Sequence, residues 1–343
     1  MKLVSIESEV KLIPLKTPFI TALRRVENVE FVRVTLACGN GLVAIGEAPA
    51  TKAITGEGIE DILSSIESIK DKLIFHMPKD ALIILHKSKI GSSAKAALDM
   101  ALVSLLALEK KEALYKYLGA KEPIVLKTDI TISLKTPHAM IEDSVLACGN
   151  GMDILKVKLG KDIKHAIEVT KNISKAVPHA KIIIDANQAW HVDNTLEYIQ
   201  AVTDLNIELI EQPVIADDIE GLKRITENSH MPILADETVF TLDDAKKVVE
   251  SKSADMINIK LMKCGGLTKA VEILEYAREK NVKCMLGSML EGPYSINVAL
   301  HLAMAYSDVI KYIDLDSPLL YKEPSEELDF DFMGCEITYN PHL

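Results

Sequence analysis

The chain has 343 residues, 48% of them apolar and 26% charged, which is enough for sizeable cores in about two domains. Fifty acidic residues against 39 basic ones give a net charge of −11 with no basic cluster, so nucleic acid is excluded as an expected partner. No apolar run approaches membrane-spanning length, and Glu7, Glu9 and Lys11 interrupt the opening MKLVSIESEVKLIPL, which therefore lacks a secretory core. Five scattered cysteines without metal-site spacing suit small buried residues in a reducing cytoplasm.

In chain order, residues 1–120 read as an α+β domain. VENVEFVRVTLACGNGLVAIGEA alternates like antiparallel strands around a GNG turn at 39–41, and SSAKAALDMALVSLLALEKKEALYKYL follows as a helix rich in Ala and Leu. From 121 to 317 short β-rich runs alternate with helical stretches: TDITISL, ILKVKLG, KIIIDAN, IELIEQP, PILADET, MINIKLM, VKCMLG and KYIDLD. Eight strands with seven intervening helices predict a parallel sheet, and their even spacing predicts closure into a (β/α)7β barrel of the TIM type. Residues 318–343 have no place in that count and are expected to return to the first domain as part of an α+β cap.

Charges fall at regular places on this rhythm. Lys158, Asp185, Glu211, Asp236 and Lys260 stand at or near the ends of successive strands, separated by 27, 26, 25 and 24 residues. One βα unit apart, they form a ring at the C-terminal face of a barrel, where active sites of this architecture lie. Asp185, Glu211 and Asp236 are three hard oxygen donors without a histidine, a set that suits one Mg²⁺ per site, with Mn²⁺ as a substitute. Lys158 and Lys260 fall on the second and sixth strands, facing each other across the ring. Two bases on opposite sides of a carbon next to a metal-bound carboxylate describe epimerisation or racemisation.

Lys156 shares a strand face with Lys158, so each ammonium is expected to lower the pKa of the other, with Lys156 as an ion-pair partner or tuner. Lys263 reads as a turn residue. On the last run Asp314 and Asp316 share a face, and two readings stay open for them: a further metal site or a clamp for a substrate ammonium.

KVK at 156–158, DAN at 185–187, EQP at 211–213, ADE at 235–237 and NIK at 258–260 together resemble the enolase superfamily, specifically its muconate lactonizing enzyme subgroup, and the resemblance covers essentially the whole chain. In that superfamily a lysine base works with Mg²⁺ that stabilises an ene-diolate, so this mechanism is what the resemblance implies. The Asp-x-Asp of IDLDSP resembles the feature with which the subgroup's dipeptide epimerases hold a free α-amino group. TPFITALRRVENVE resembles the mobile specificity loop of the epimerases acting on Ala-Glu, with Arg24 matching the arginine that reaches the glutamate side chain. EAPATKAITGEG resembles a second lid loop.

The resemblance further implies Thr131, Ser288 and Met289 as substrate contacts, with Asn187 and Glu237 supporting the metal ligands. It implies a homo-oligomeric enzyme that interconverts L-Ala-L-Glu and L-Ala-D-Glu, acting in murein peptide metabolism. EGPY at 291–294 departs from the close relatives' pattern beside the substrate, and Ser104 stands where they carry an aspartate. The rival readings are another dipeptide preference, an o-succinylbenzoate synthase or muconate cycloisomerase reaction, and a metal-binding barrel that turns nothing over.

Overall fold

The computed structural model describes residues 1–341. It opens with an antiparallel meander of β1 (Leu3–Ile20), β2 (Arg25–Cys38) and β3 (Val43–Pro49). Both faces of this sheet are used. Val32, Val34 and Leu36 pack into the main core beside the helices Ile59–Leu73, Pro78–Lys87 and Ser92–Glu109, while Val29 and Phe31 join Leu290 and Tyr321 on the other side. At Gly46 in β3 a Cβ would stand 1.9 Å from the Ala97 carbonyl oxygen, so this strand lies directly on the helix Ser92–Glu109. The GNG segment turns between β2 and β3, with Gly41 at φ +87° donating its N–H to Cys38 O.

The segment expected as a mobile loop at 18–26 is largely strand. Phe19 pairs with Val26 and Ile20 with Arg25, leaving 21–24 as a hairpin tip closed by the Thr21 N–H on Arg24 O (2.9 Å). Leu134 N–H donates to Ile20 O (2.9 Å), and Ile20 N–H to Ser133 Oγ (3.2 Å), so the tip is docked on the barrel rim.

A two-residue strand, β4 (Leu126–Lys127), precedes eight parallel strands: β5 (Ile130–Ile132), β6 (Ile154–Lys158), β7 (Lys181–Asp185), β8 (Ile207–Glu211), β9 (Ile233–Ala235), β10 (Met256–Ile259), β11 (Lys283–Gly287) and β12 (Ile310–Asp314). They are ordered sequentially, β5 beside β6 through to β12. Ile183, Leu209, Leu234, Met256, Met285 and Tyr312 fill the barrel interior as a separate apolar cluster. Register then sets the level of the charges. Lys158 is level with Asp185 and Asp185 with Glu211, so alternation within each strand turns these three inward above the apolar plug.

Between β12 and β5 other bonds replace the regular ladder. Asp129 N–H donates to Ile313 O (3.1 Å), Leu315 N–H to Thr128 Oγ1 (3.0 Å) and Thr131 N–H to Asp316 Oδ2 (2.7 Å). The seam of the barrel therefore runs through the Asp-x-Asp segment. The chain ends in the hairpin β13 (Phe330–Met333) and β14 (Glu336–Tyr339), whose second strand pairs with β4. Before it, Lys322 N–H donates to Pro14 O (2.8 Å), and Glu327 takes a bidentate ion pair from Arg33 of β2 (2.6 and 2.7 Å). Among the described residues no helix is long and apolar enough to cross a membrane.

Candidate active site

One cavity lies over the C-terminal ends of the barrel strands, beneath the β1–β2 hairpin tip. Lys158 and Lys260 line it from β6 and from the residue following β10, four strands apart in the eight-stranded ring and hence on opposite walls. Thr131, Asn187, Glu237, Ser288, Met289, Asp314 and Asp316 also border it, and Arg24 and Ile54 cover it from the amino-terminal domain.

Below the rim the charges are paired. Lys158 Nζ lies 2.5 Å from Asp185 Oδ2, and Lys260 Nζ 2.7 Å from Asp236 Oδ2. Lys156 is completely buried, 2.5 Å from Asp314 Oδ2, 2.7 Å from Glu211 Oε2 and 3.5 Å from Asp185 Oδ2. Its surroundings reverse the expectation of a lowered pKa. Burial pulls the ammonium down, but Asp314, Glu211 and Asp185 outweigh it and push its pKa well above the usual lysine value. Lys260 is likewise raised, burial opposing and Asp236 leading the charges that overcome it. The two lysines of KVK therefore differ: Lys156 is locked among carboxylates, and Lys158 reaches the cavity.

The carboxylates differ as well. Asp185 is held low because Lys158 and Lys156 outweigh its burial, whereas burial and the neighbouring Asp185 raise Glu211 to about 7. Burial and the adjacent Asp236 raise Glu237 to about 8. Asn187 donates its N–H to Asp185 Oδ1 (2.9 Å) and its side-chain amide to Glu237 Oε1 (3.4 Å), from a left-handed backbone at φ +42°.

Asp185, Glu211 and Asp236 present buried hard oxygens from three neighbouring strands. Glu237 Oε2 and Asn187 Oδ1 receive no hydrogen bond and Glu211 Oε2 meets only the Lys156 ammonium (2.7 Å), which fits an oxygen-seeking divalent cation held at this level. Asp185 and Asp236 are drawn onto the lysines, and among the described residues the carboxyl oxygens that gather within 4.8 Å are those of Asp129, Asp314 and Asp316. In that second group the Lys156 ammonium already serves Asp314.

Several residues here escape a reading of the sequence. Lys263, expected in a turn, is 3% exposed, and its Nζ donates to Asp236 Oδ1 (2.6 Å), Asp236 O and Asn258 O (2.9 Å). It braces the carboxylate that Lys260 also touches. Asn258 Nδ2 holds Glu211 Oε1 (2.8 Å), and Gln212 Oε1 takes the Asp236 N–H (2.8 Å). Only Asn258 left a signal, as a lone polar group inside the apolar run MINI.

The EGPY departure lies one layer behind the cavity. Glu291 is 1% exposed, accepts the Met289 N–H (2.9 Å) and is bonded by Ser295 Oγ. Pro293 opens the helix Pro293–Ala305, and the Arg33 guanidinium lies 4.7 Å from the Tyr294 ring centroid.

At the lid, Arg24 has no carboxylate partner among the described residues, and burial lowers its pKa to about 10. A desolvated guanidinium facing a cavity is a position for an anion.

Comparison with known proteins bears on the chain as a whole. Residues 5–119 match the mandelate racemase / muconate lactonizing enzyme N-terminal domain, and residues 141–335 the enolase C-terminal domain-like family. An L-amino acid-D/L-Glu epimerase of Sulfurimonas denitrificans is 60% identical, over 98% of this chain and 99% of that protein. The substrate-liganded L-Ala-D/L-Glu epimerase from Bacillus subtilis superposes with a TM-score of 0.94 at 38% identity, covering 99% of this chain and 97% of that one. A dipeptide epimerase from Enterococcus faecalis, complexed with Mg and L-Leu-L-Tyr, gives 0.93 at 32% identity, covering 99% and 98%. This chain belongs to the enolase superfamily, in its mandelate racemase and muconate lactonizing enzyme branch.

Proposed function

We propose that the protein is a Mg²⁺-dependent dipeptide epimerase that inverts the α-carbon of the C-terminal residue, with L-Ala-L-Glu and L-Ala-D-Glu as its substrate pair. The observation that carries this reading is the coexistence of four elements around one cavity: Lys158 and Lys260 on opposite walls, the Asp314–Asp316 pair at the seam, and the unpaired Arg24 at the lid. A substrate with a carboxylate in its side chain and a free ammonium meets both polar ends. Its α-carbon then lies between two amines. The names of the similar epimerases support the same substrate class, and the S. denitrificans protein's name supports a wider choice of amino-terminal residue.

Asp185, Glu211 and Asp236 would hold the Mg²⁺, which supplies positive charge to the substrate's terminal carboxylate and so acidifies the adjacent C–H. Lys158 or Lys260 removes that proton through the neutral fraction of its amine, a fraction that Asp236 keeps small at Lys260 while the two are paired, and the lysine opposite delivers one to the other face as an ammonium. Each lysine exchanges roles in the reverse direction. Lys156, fixed as a cation, offsets the negative charge below the reacting carbon. Asn187 and Glu237 support the ligand level, Thr131, Ser288 and Met289 line the substrate, and the hairpin tip with the 50–58 segment excludes water. Absence of substrate ammonium in the lactonising and o-succinylbenzoate reactions leaves the cavity-facing Asp314 and Asp316 without a substrate partner, which favours the epimerase over those rivals.

The reading includes a cytoplasmic homo-oligomer acting on peptides released from murein. Incubation with L-Ala-L-Glu and Mg²⁺ in D₂O, followed by proton NMR, tests the chemistry. The expected result is loss of the glutamyl α-proton signal together with appearance of the second diastereomer. Ligand binding without exchange would instead identify a barrel that turns nothing over.

A further inference from the structure

The roles assigned above leave a fully buried acid beside the Asp314–Asp316 pair without a task. Asp129, just before β5, is 1% exposed, and neither of its carboxyl oxygens receives a hydrogen bond from a described donor. Its backbone is pinned at the barrel seam by the N–H bond to Ile313 O (3.1 Å). Its carboxyl therefore stays where the fold puts it, with its oxygens within 4.8 Å of those of Asp314 and Asp316.

Those two neighbours have donors and Asp129 has none. Asp314 takes the Lys156 ammonium at 2.5 Å, and Asp316 takes the Thr131 N–H at 2.7 Å. Three buried carboxylates crowded beside one close ammonium, which Glu211 and Asp185 share, are not all ionised together, and the proton settles on the group with no donor to stabilise its charge. Burial and then the Asp314 charge push Asp129 well above the ordinary carboxyl range, with Asp316 adding to the rise and Lys156 opposing it. A protonated carboxyl carries an O–H donor, and the acceptors in reach are the carboxylates of the Asp-x-Asp.

We propose that Asp129 is a positioning residue for the substrate's ammonium: as a neutral acid it donates its O–H to Asp314 and aims that carboxylate at the cavity. This rests on the reading that Asp314 and Asp316 receive an α-ammonium. Charge crowding supports it. Lys156 is shared among Asp314, Glu211 and Asp185, so an ionised Asp129 would add a further negative charge that no described cation within ion-pair distance offsets.

Asp129→Asn keeps a neutral donor of the same shape, and Asp129→Leu keeps the bulk without the donor. With L-Ala-L-Glu, the Asn variant is expected to hold KM and kcat within about threefold of the parent, while the Leu variant raises KM about tenfold or more with a smaller change in kcat. Infrared difference spectra, parent minus Asp129→Asn at neutral pH, are expected to contain the carbonyl stretch of a protonated carboxyl. An Asn variant as impaired as the Leu variant, a Leu variant as good as the parent, or absence of that band each overturns the proposal. Should Asp129→Leu not fold, the Asn kinetics and the infrared band decide it. If the parent turns over no dipeptide although the band is present, the function proposed above fails and the ammonium role falls with it, while the proton on Asp129 stands.

Discussion

Lys156 Nζ lies 2.5 Å from Asp314 Oδ2, joining β6 to β12 across β5, the strand at the barrel seam. The same ammonium touches Glu211, so one side chain with no exposure supports the ammonium clamp and the candidate metal level together. Removing one partner of a buried ion pair leaves the others' charges uncompensated. Lys156→Met is expected to cost about 3–5 kcal/mol of stability. Urea unfolding measures this directly, and a loss below about 1 kcal/mol would mean that the cluster relaxes without its cation.

Arg24 separates recognition from stability. Its half-buried guanidinium meets no described carboxylate, and burial holds its pKa below the ordinary arginine value. A cation with a lowered folded pKa destabilises the folded state throughout the range where it is charged, so Arg24→Met should leave stability unchanged or raise it. KM for L-Ala-L-Glu should meanwhile climb about 30-fold, the value of one charged hydrogen-bonded contact, while a dipeptide ending in leucine is unaffected. A variant equally impaired on both dipeptides would place Arg24 outside side-chain recognition.

Glu291 ties stability to pH. Burial raises its carboxyl from 4.5 to about 7, and its bonds from Ser295 and Met289 offset only part of that cost. With the folded pKa raised, the folded state binds the extra proton between pH 4.5 and 7. The stabilisation is complete below 4.5 and lost as pH rises through 7. Glu291→Gln, neutral at every pH, should match the parent near pH 5 and exceed it by up to about 3 kcal/mol at pH 8. Denaturant curves at the two pH values check the sign, and a variant less stable at pH 8 would show that the ionised carboxylate is well solvated by its donors.

The barrel was legible in the sequence because six of the eight strands are apolar runs ended by a charge, and a spacing of one βα unit places five of those charges on one rim. Alternation also put Lys156 and Lys158 on one face. What it could not convey is the cross-barrel partner. Asp314 lies 158 residues from Lys156 in the chain, and its carboxylate, with that of Glu211, turns an expected lowered pKa into a raised one. Lys263 was misread for the same reason: its three acceptors on Asp236 and Asn258 exist only once β9 and β10 are side by side. Asp129 escaped notice because TDITI reads as simple alternation, and its significance comes from closure of the seam. The hairpin tip looked like a loop because TPFITALRR carries polar and proline residues, yet Phe19 and Val26 still pair.

The two cavity lysines make the most specific prediction, because they stand on opposite walls and neither can reach both faces of a carbon held between them. If each serves one face, deleting either should abolish epimerisation but spare half of the exchange. Lys158→Ala and Lys260→Ala should each lose at least about 10²-fold in interconversion, the scale of a missing general acid or base. In D₂O, one variant should still wash deuterium into the L-Glu epimer alone and the other into the D-Glu epimer alone. Paired NMR time courses, with both diastereomers offered to both variants, read this out. Exchange of the same epimer by both variants would leave the lysines on one face and would point to a single base with a different proton donor opposite.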